Sequence, residues 1–208
     1  LVDGASRRSA DDLAAAGGIG VGNNIFALDP ETAAMAISTD PWIEQAKVTR
    51  KLPSTIQVNV VEREARALAA IGGDLYLATR DGDLFKRAGV GDPEDLPLVT
   101  GLLPEQVASD RAGAVLAIKR VLDVLEELER VGIAQRWPVQ ELHLEKDHAL
   151  VATIGREAIL LHLGHPPYRA KIEQGNRVLQ ELSKRKANAS VIFLDNDAHP
   201  ERVVARMR

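Results

Sequence analysis

The segment from residue 42 to residue 62 constrains the fold most, because it has the pattern of a β-hairpin. Residues 42–51 form a first extended arm, Leu52-Pro53-Ser54 supplies a turn, and residues 55–62 form the second arm. In the second arm the apolar side chains fall mostly on every other residue, which is the period of a half-buried strand. The alternating apolar residues are Ile56, Val58 and Val60.

The residues before this hairpin predict a short strand and two helices. Leu1-Val2 ends in an Asp-Gly turn and indicates the last residues of a strand. Ser9 is a predicted N-cap for a helix that ends near Ala16, and Asp29 is a predicted N-cap for a second helix, because a proline and a glutamate follow it directly. The order over residues 1–64 is therefore β-α-α-β-β, which predicts a first domain.

Residues 65–208 have the pattern of a second, β-rich domain. An Asp81-Gly82 turn predicts a hairpin, and amphipathic stretches near residues 109–130 and 168–184 predict two helices. Further strands are predicted at residues 139–144, 149–154, 158–163, 190–194 and 202–206. We therefore predict an α+β fold in which two helices pack on a mostly antiparallel sheet.

Composition excludes several classes of function. The chain has no cysteine, so it has no disulfide, no cysteine-based zinc site and no thiol nucleophile. A net charge of −4 and an aromatic content of 3% argue against a nucleic-acid-binding protein. No run of about 18 apolar residues is present that would predict a membrane span.

We find no pattern that predicts a catalytic residue, a metal site or a cofactor. His143 and His162 lie on predicted strands and would approach a common ion only if those strands were close, and no helical metal-binding spacing is present. The glycine-rich residues 17–22 follow a helix, whereas a phosphate-binding loop follows a strand. Asp81-Gly82-Asp83 lacks the alternating ligands of a calcium loop.

The C-terminal part of the chain is basic although the whole chain is acidic. Residues 168–208 hold nine Lys and Arg against five Asp and Glu. Two interpretations remain open at this point: an ordinary solvated surface, or a docking surface for an acidic partner.

Residues 40–64 resemble the FtsQ/DivIB family of bacterial cell-division proteins. The likeness rests on a Pro-Trp pair, a basic strand, a Leu-Pro turn and an alternating strand that ends in Glu62. Weaker motifs follow the same order along almost the whole chain. They are Asp3-Gly4, residues 24–29, Asp81-Gly82, residues 96–99 and residues 161–164.

This resemblance implies a POTRA domain at residues 1–64 and a β domain at residues 65–208, preceded by a cytoplasmic tail and one membrane helix. It implies a scaffold of the divisome with no enzymatic activity, held in the inner membrane at the septum with this part in the periplasm. Its implied partners are FtsB- and FtsL-like proteins. Other division components would be recruited by a POTRA surface that includes Trp42, Lys47, Arg50 and Lys51. The alternative is a POTRA-containing component of outer-membrane protein assembly or secretion, which would carry several POTRA repeats.

The predicted partner site is the last strand, at residues 202–206. As a sheet edge it would offer unpaired backbone groups to an incoming strand, and its arginines would favour an acidic guest. His165 stands where the family often carries an arginine that contacts the partner. The expected site residues are Tyr168, Arg169, Ile172, Phe193, Arg202, Val203, Val204, Ala205 and Arg206, together with His165.

Overall fold

The computed structural model describes residues 1–196, 198–199 and 202–208, and the chain forms two compact units, Leu1–Glu64 and Ala65–Arg208. Among the described residues, every helix falls short of the length or the hydropathy that crossing a bilayer requires.

The first unit is a three-stranded sheet with two helices. The central strand is β3, with β1 parallel on one side and β2 antiparallel on the other. The predicted β-α-α-β-β order is confirmed. The elements are β1 Val2–Asp3, α1 Ala10–Ala16, α2 Pro30–Ile37, β2 Ile43–Lys51 and β3 Thr55–Glu62.

Local interactions start both helices where the sequence predicts. The Ser9 hydroxyl accepts a hydrogen bond from the backbone N–H of Asp12 at 3.0 Å, and the Asp29 carboxylate accepts one from the N–H of Thr32 at 3.0 Å. Gly4 has φ +83, and a Cβ there would lie 2.0 Å from the carbonyl oxygen of Val60. Only glycine fits this contact between the chain after β1 and strand β3.

The alternation in β3 builds the core of the first unit. Ile56, Val58 and Val60 all point inward, and helices α1 and α2 cover them. The buried residues of this core are Leu13, Ala33, Ile37, Ile43, Val48, Ile56, Val58 and Val60.

The second unit is built on one nine-stranded sheet in the order β12-β11-β10-β9-β8-β7-β4-β5-β6. Five of its eight strand pairs are antiparallel. The strands are β4 Ala67–Ile71, β5 Asp74–Ala78, β6 Leu84–Arg87, β7 Leu98–Thr100, β8 Val139–Leu144, β9 Leu150–Ile154, β10 Ile159–Gly164, β11 Ala189–Phe193 and β12 Val204–Met207. The helices are α3 Pro104–Ser109, α4 Arg111–Arg130, α5 Ile133–Arg136 and α6 Arg169–Lys184.

The α+β class, the mostly antiparallel sheet and the two long helices, which are α4 and α6, are confirmed, but two short helices were missed. The described residues of this unit include four helices. Helices α3 and α5 were missed because they have six and four residues, which are too few to show a helical period. Strands β4 and β7 were also missed. The last strand begins at Val204, two residues later than predicted.

One hydrophobic core unites the two long helices with one face of the sheet. Helix α4 buries seven side chains on one stripe, including Ile118, Val121 and Leu128, and α6 buries Ile172 and Leu179. These pack with inward residues of the strands, such as Leu142, Leu161 and Ile192. The opposite face of strands β8 to β12 is formed by the alternate residues.

Candidate functional site

Strand β12 forms one edge of the nine-stranded sheet. It runs antiparallel to β11, with Val204 opposite Phe193, Ala205 opposite Ile192 and Arg206 opposite Val191. A β-bulge interrupts this ladder between Ala189 and Val191. The edge predicted from the sequence therefore exists, and among the residues that the structure describes β12 has a neighbouring strand on one side only.

From Arg202 to Arg206 the side chains alternate between solvent and core, whereas Met207 at the end of β12 is 46% exposed. Val203 and Ala205 are partly buried and pack against the hydrophobic core. Val204 is 59% exposed, and Arg202 and Arg206 are also exposed. Val203 and Ala205 therefore mainly offer their backbone groups to a partner, whereas the side chains of Val204 and Arg206 face the solvent.

The solvent-facing side of β12 continues into a surface that we call the edge patch, defined by His162, Phe193, Val204 and Arg206. Strand register aligns His162 with Phe193 and Phe193 with Val204, so one residue from each of three neighbouring strands forms a row. The rings of His162 and Phe193 stack with their centroids 4.9 Å apart. The patch thus combines an aromatic pair with an exposed valine and an exposed arginine.

The sequence analysis missed His162 as a member of this patch. The signal that could have found it is the helix between β10 and β11. A strand, a helix and a second strand form a parallel crossover, which brings β11 beside β10 and therefore His162 beside Phe193.

The two strand histidines that could have shared an ion do not converge. His143 on β8 and His162 on β10 lie on opposite sides of Val151, which pairs with both. His143 instead has its Nδ1 2.7 Å from the hydroxyl of Thr100. Within the described ranges, no group of three or more His, Asp or Glu residues could hold a metal ion.

Three predicted site residues lie at the start of helix α6, and only one of them, Arg169, is exposed. Arg169 is exposed and forms an ion pair with Glu173 at 3.2 Å. Tyr168 is partly buried against the core, and burial raises the pKa of its phenol. Ile172 is fully buried, so its prediction as a contact residue was wrong: it packs in the core and can affect binding only through the position of the helix.

His165 is held at the loop that follows β10. Its Nε2 lies 2.9 Å from the carbonyl oxygen of Asp147, and the ring is half exposed. The preceding Gly164 has φ +63, and a Cβ there would lie 2.7 Å from the Cβ of Asp195. Glycine is thus required where the chain after β10 passes close to the chain after β11, which explains the Leu-x-Leu-Gly motif physically.

The predicted recruitment surface of the first unit has one member that is not on the surface. Trp42 is only 4% exposed, and the guanidinium of Arg7 covers its ring at 3.7 Å from the centroid. Lys47 and Lys51 are exposed, whereas Arg50 donates from Nε to the carbonyl oxygen of Ile25 at 2.9 Å. The indole of Trp42 therefore stabilises the domain, and the basic residues of β2 remain the accessible part.

Two family models match the chain, and together they cover both units. Residues 1–63 match the POTRA domain of FtsQ type, and residues 67–195 match the C-terminal domain of the cell division protein FtsQ/DivIB. The chain belongs to the FtsQ/DivIB family. The second match ends at residue 195, so β12 lies beyond it.

Curated relatives carry the same family name. The FtsQ of Myxococcus fulvus is 34% identical over 205 residues, which is 98% of this chain and 71% of that protein. The FtsQ of an Anaeromyxobacter species is 31% identical over 99% of this chain and 69% of its own length. The DivIB of Clostridium botulinum is 36% identical over 69 residues, which is 33% of this chain and 27% of that protein. The family is therefore one of bacterial cell-division proteins.

Proposed function

We propose that this chain is a non-catalytic scaffold of the divisome that binds FtsB- and FtsL-like proteins by strand addition at β12. The observation that carries this proposal is the position of β12 at the end of the nine-stranded sheet, with Val204 59% exposed and Arg206 exposed on the same strand.

The physical basis is the unfilled hydrogen-bonding capacity of an edge. Every second residue of an edge strand directs its N–H and C=O away from the sheet, and an added strand satisfies them. Side chains of the guest would then lie over the edge patch, where Val204 and the stacked His162–Phe193 pair offer apolar contact.

The exposed arginines near β12 favour an acidic binding partner. Arg202, Arg206 and Arg208 are exposed in or beside β12, and Arg169 is exposed on α6. Such charges raise the rate of encounter with an acidic segment, and they discourage pairing between two copies of this edge through like-charge repulsion.

The first unit would act as a separate recruiting module. We propose that Lys47 and Lys51, with Arg50 as the residue that anchors the neighbouring loop, contact other division proteins. The protein would be held in the inner membrane by a helix that precedes Leu1, with both units in the periplasm at the septum. A role in outer-membrane protein assembly is less well supported, because one POTRA domain is followed directly by a C-terminal domain of the FtsQ/DivIB type.

The test is the titration of a FtsB-like peptide, acidic and able to form a strand, against the chain and against a variant without residues 201–208. The deletion should remove most of the binding, while the circular dichroism signal of the rest of the chain is retained. A peptide of the same composition in scrambled order is the control. Binding of equal strength by the deleted chain would show that the docking site lies elsewhere.

A further inference from the structure

Four of the six exposed large apolar side chains of the first unit lie near the hairpin turn and the α1–α2 loop, whereas Met35 on α2 and Val61 on β3 lie elsewhere. Leu1 is 82% exposed, Phe26 is 69% exposed, Leu52 is 73% exposed and Val21 is completely exposed. We call these four residues the apolar tip. Large apolar side chains grouped in this way usually mark a contact surface, whereas single exposed ones need no explanation.

Three connections bring the members of the apolar tip together. The amino group of Leu1 donates to the carbonyl oxygen of Ile56 at 2.9 Å, which places the start of β1 beside the first residues of β3, next to the hairpin turn that holds Leu52. Arg50 donates from Nε to the carbonyl oxygen of Ile25 and from Nη2 to that of Leu28. Arg50 thereby ties the α1–α2 loop, which carries Val21 and Phe26, to the end of β2.

The loop also packs against the hairpin through apolar side chains. Ile19, Ile25 and Leu28 are partly buried against the core of the first unit. A cavity of about 270 Å³ lies between the loop and Ile56. The apolar tip is therefore a built surface rather than the end of a free loop.

The charges at this end are basic. Residues 13–28 contain no charged side chain at all, and the charged residues beside the hairpin turn are Arg50 and Lys51. The first carboxylate after the loop is Asp29, which caps α2: it accepts hydrogen bonds from the side chain and the backbone of Thr32, and these lower its pKa. Apolar side chains flanked by basic ones are typical of surfaces that rest on an anionic bilayer.

We propose that the apolar tip lies on the surface of a bilayer containing anionic lipids, with Phe26, Val21 and Leu52 at the headgroup level and Lys51 beside the lipid phosphates, which leaves Lys47 as the exposed lysine of β2 for protein partners. This inference rests on the proposed function, in which a membrane helix precedes Leu1 and would enter the domain at this same end. The tip would then orient the POTRA domain relative to the membrane. It would not hold the protein there, because four side chains provide too little apolar area for stable binding without an anchor.

The test uses the absence of cysteine from the chain, which makes single-cysteine labelling clean. The 208-residue chain is tethered by a hexahistidine tag before Leu1 to vesicles that contain phosphatidylglycerol and a nickel-chelating lipid. An environment-sensitive fluorophore is attached in the variants Phe26→Cys and Leu52→Cys. The matched control is Met35→Cys, because Met35 is 65% exposed but lies on helix α2, outside the apolar tip.

We expect a blue shift of the probes at positions 26 and 52, with quenching by nitroxide lipids, and neither effect at position 35. Lys51→Glu should reduce the fraction of inserted probe on the order of fivefold, and vesicles of phosphatidylcholine with the same nickel-chelating lipid should show the same loss. Two results would overturn the proposal: equal solvent exposure of all three probes on anionic vesicles, or burial of the tip probes only after the membrane helix of a second division protein is added.

Failure of this inference can be told apart from failure of the proposed function. The double variant Phe26→Ser, Leu52→Ser should bind the FtsB-like peptide as tightly as the parent chain, since β12 belongs to the other unit. Weaker peptide binding by this variant, with its fold retained, would contradict the separation of the two surfaces.

Discussion

The two outer strands of the nine-stranded sheet, β6 and β12, differ in how their edges are protected. On β6 the charged side chains are engaged within the domain: Lys86 donates to Asp92 at 2.6 Å, and Arg87 pairs with Asp74 at 2.5 Å. Asp92 also accepts from the N–H of Gly89 at 2.9 Å, which folds the following loop back toward β6. On β12 the arginine is exposed, and an exposed valine stands two residues before it.

This difference shows how one sheet can keep one edge closed and another available. Edge strands tend to pair with any other strand, so proteins cover them, charge them or shorten them. Both strands have four residues and carry basic side chains. On β6 these side chains form ion pairs with Asp92 and Asp74, whereas Arg206 on β12 is exposed and forms no ion pair within the described residues. A basic edge rejects a second copy of itself but admits an acidic strand, so the same charges give both protection and selectivity.

The largest expected effect on binding comes from Val204→Pro. The carbonyl of Arg206 and the N–H of Arg208 bond toward β11, so the N–H of Val204 faces β11 as well. Proline there removes a hydrogen bond that holds β12 on the sheet, so affinity for the FtsB-like peptide should fall by about 100-fold or more. Isothermal titration measures the loss, and thermal unfolding checks that the fold survives. Unchanged affinity would exclude β12 as the docking edge and remove the contrast with β6.

The variant Ile172→Ala tests whether Ile172 stabilises the fold or contacts the peptide directly. The side chain is fully buried in the core, so its truncation should lower the free energy of unfolding by about 2–5 kcal/mol. Peptide affinity measured well below the melting temperature should change little. Urea denaturation and titration of the same sample decide the point. A large loss of affinity with little loss of stability would make Ile172 a contact after all.

Asp92→Ala opens the protected edge. It removes the carboxylate that holds both Lys86 and Gly89, so the free energy of unfolding should fall by about 1–3 kcal/mol. We expect self-association to rise, as measured by analytical ultracentrifugation, because β6 loses its folded loop. If the variant stays as monodisperse as the parent, the loop does not protect the edge.

Charge reversal compares the two edges directly. Arg206→Glu on β12 should weaken peptide binding by about 0.5–3 kcal/mol, according to how far the pair is desolvated. Arg87→Glu on β6 is the matched control and should leave affinity unchanged, since that arginine lies on the opposite edge. Equal weakening by both variants would indicate an effect of net charge rather than a site on β12.

Much of the first unit could be predicted from the sequence because its signals are local. The caps at Ser9 and Asp29 act within three residues, and the alternation of Ile56, Val58 and Val60 shows its buried face directly. The long helices α4 and α6 were found for the same reason, since their apolar stripes repeat within one turn. The short elements α3, α5 and β7 were missed because three to six residues are too few to show a period.

The order of the main elements, the absence of cysteine chemistry and the basic last strand at a sheet edge could all be predicted from the residues alone. The register of β12 against β11, the stacking of Phe193 on His162 and the complete burial of Ile172 became visible only in the folded chain. The reason is the distance along the chain over which each kind of interaction acts. Caps and periodic patterns act over a few residues, whereas strand order, register and burial depend on contacts between segments that are distant in the chain.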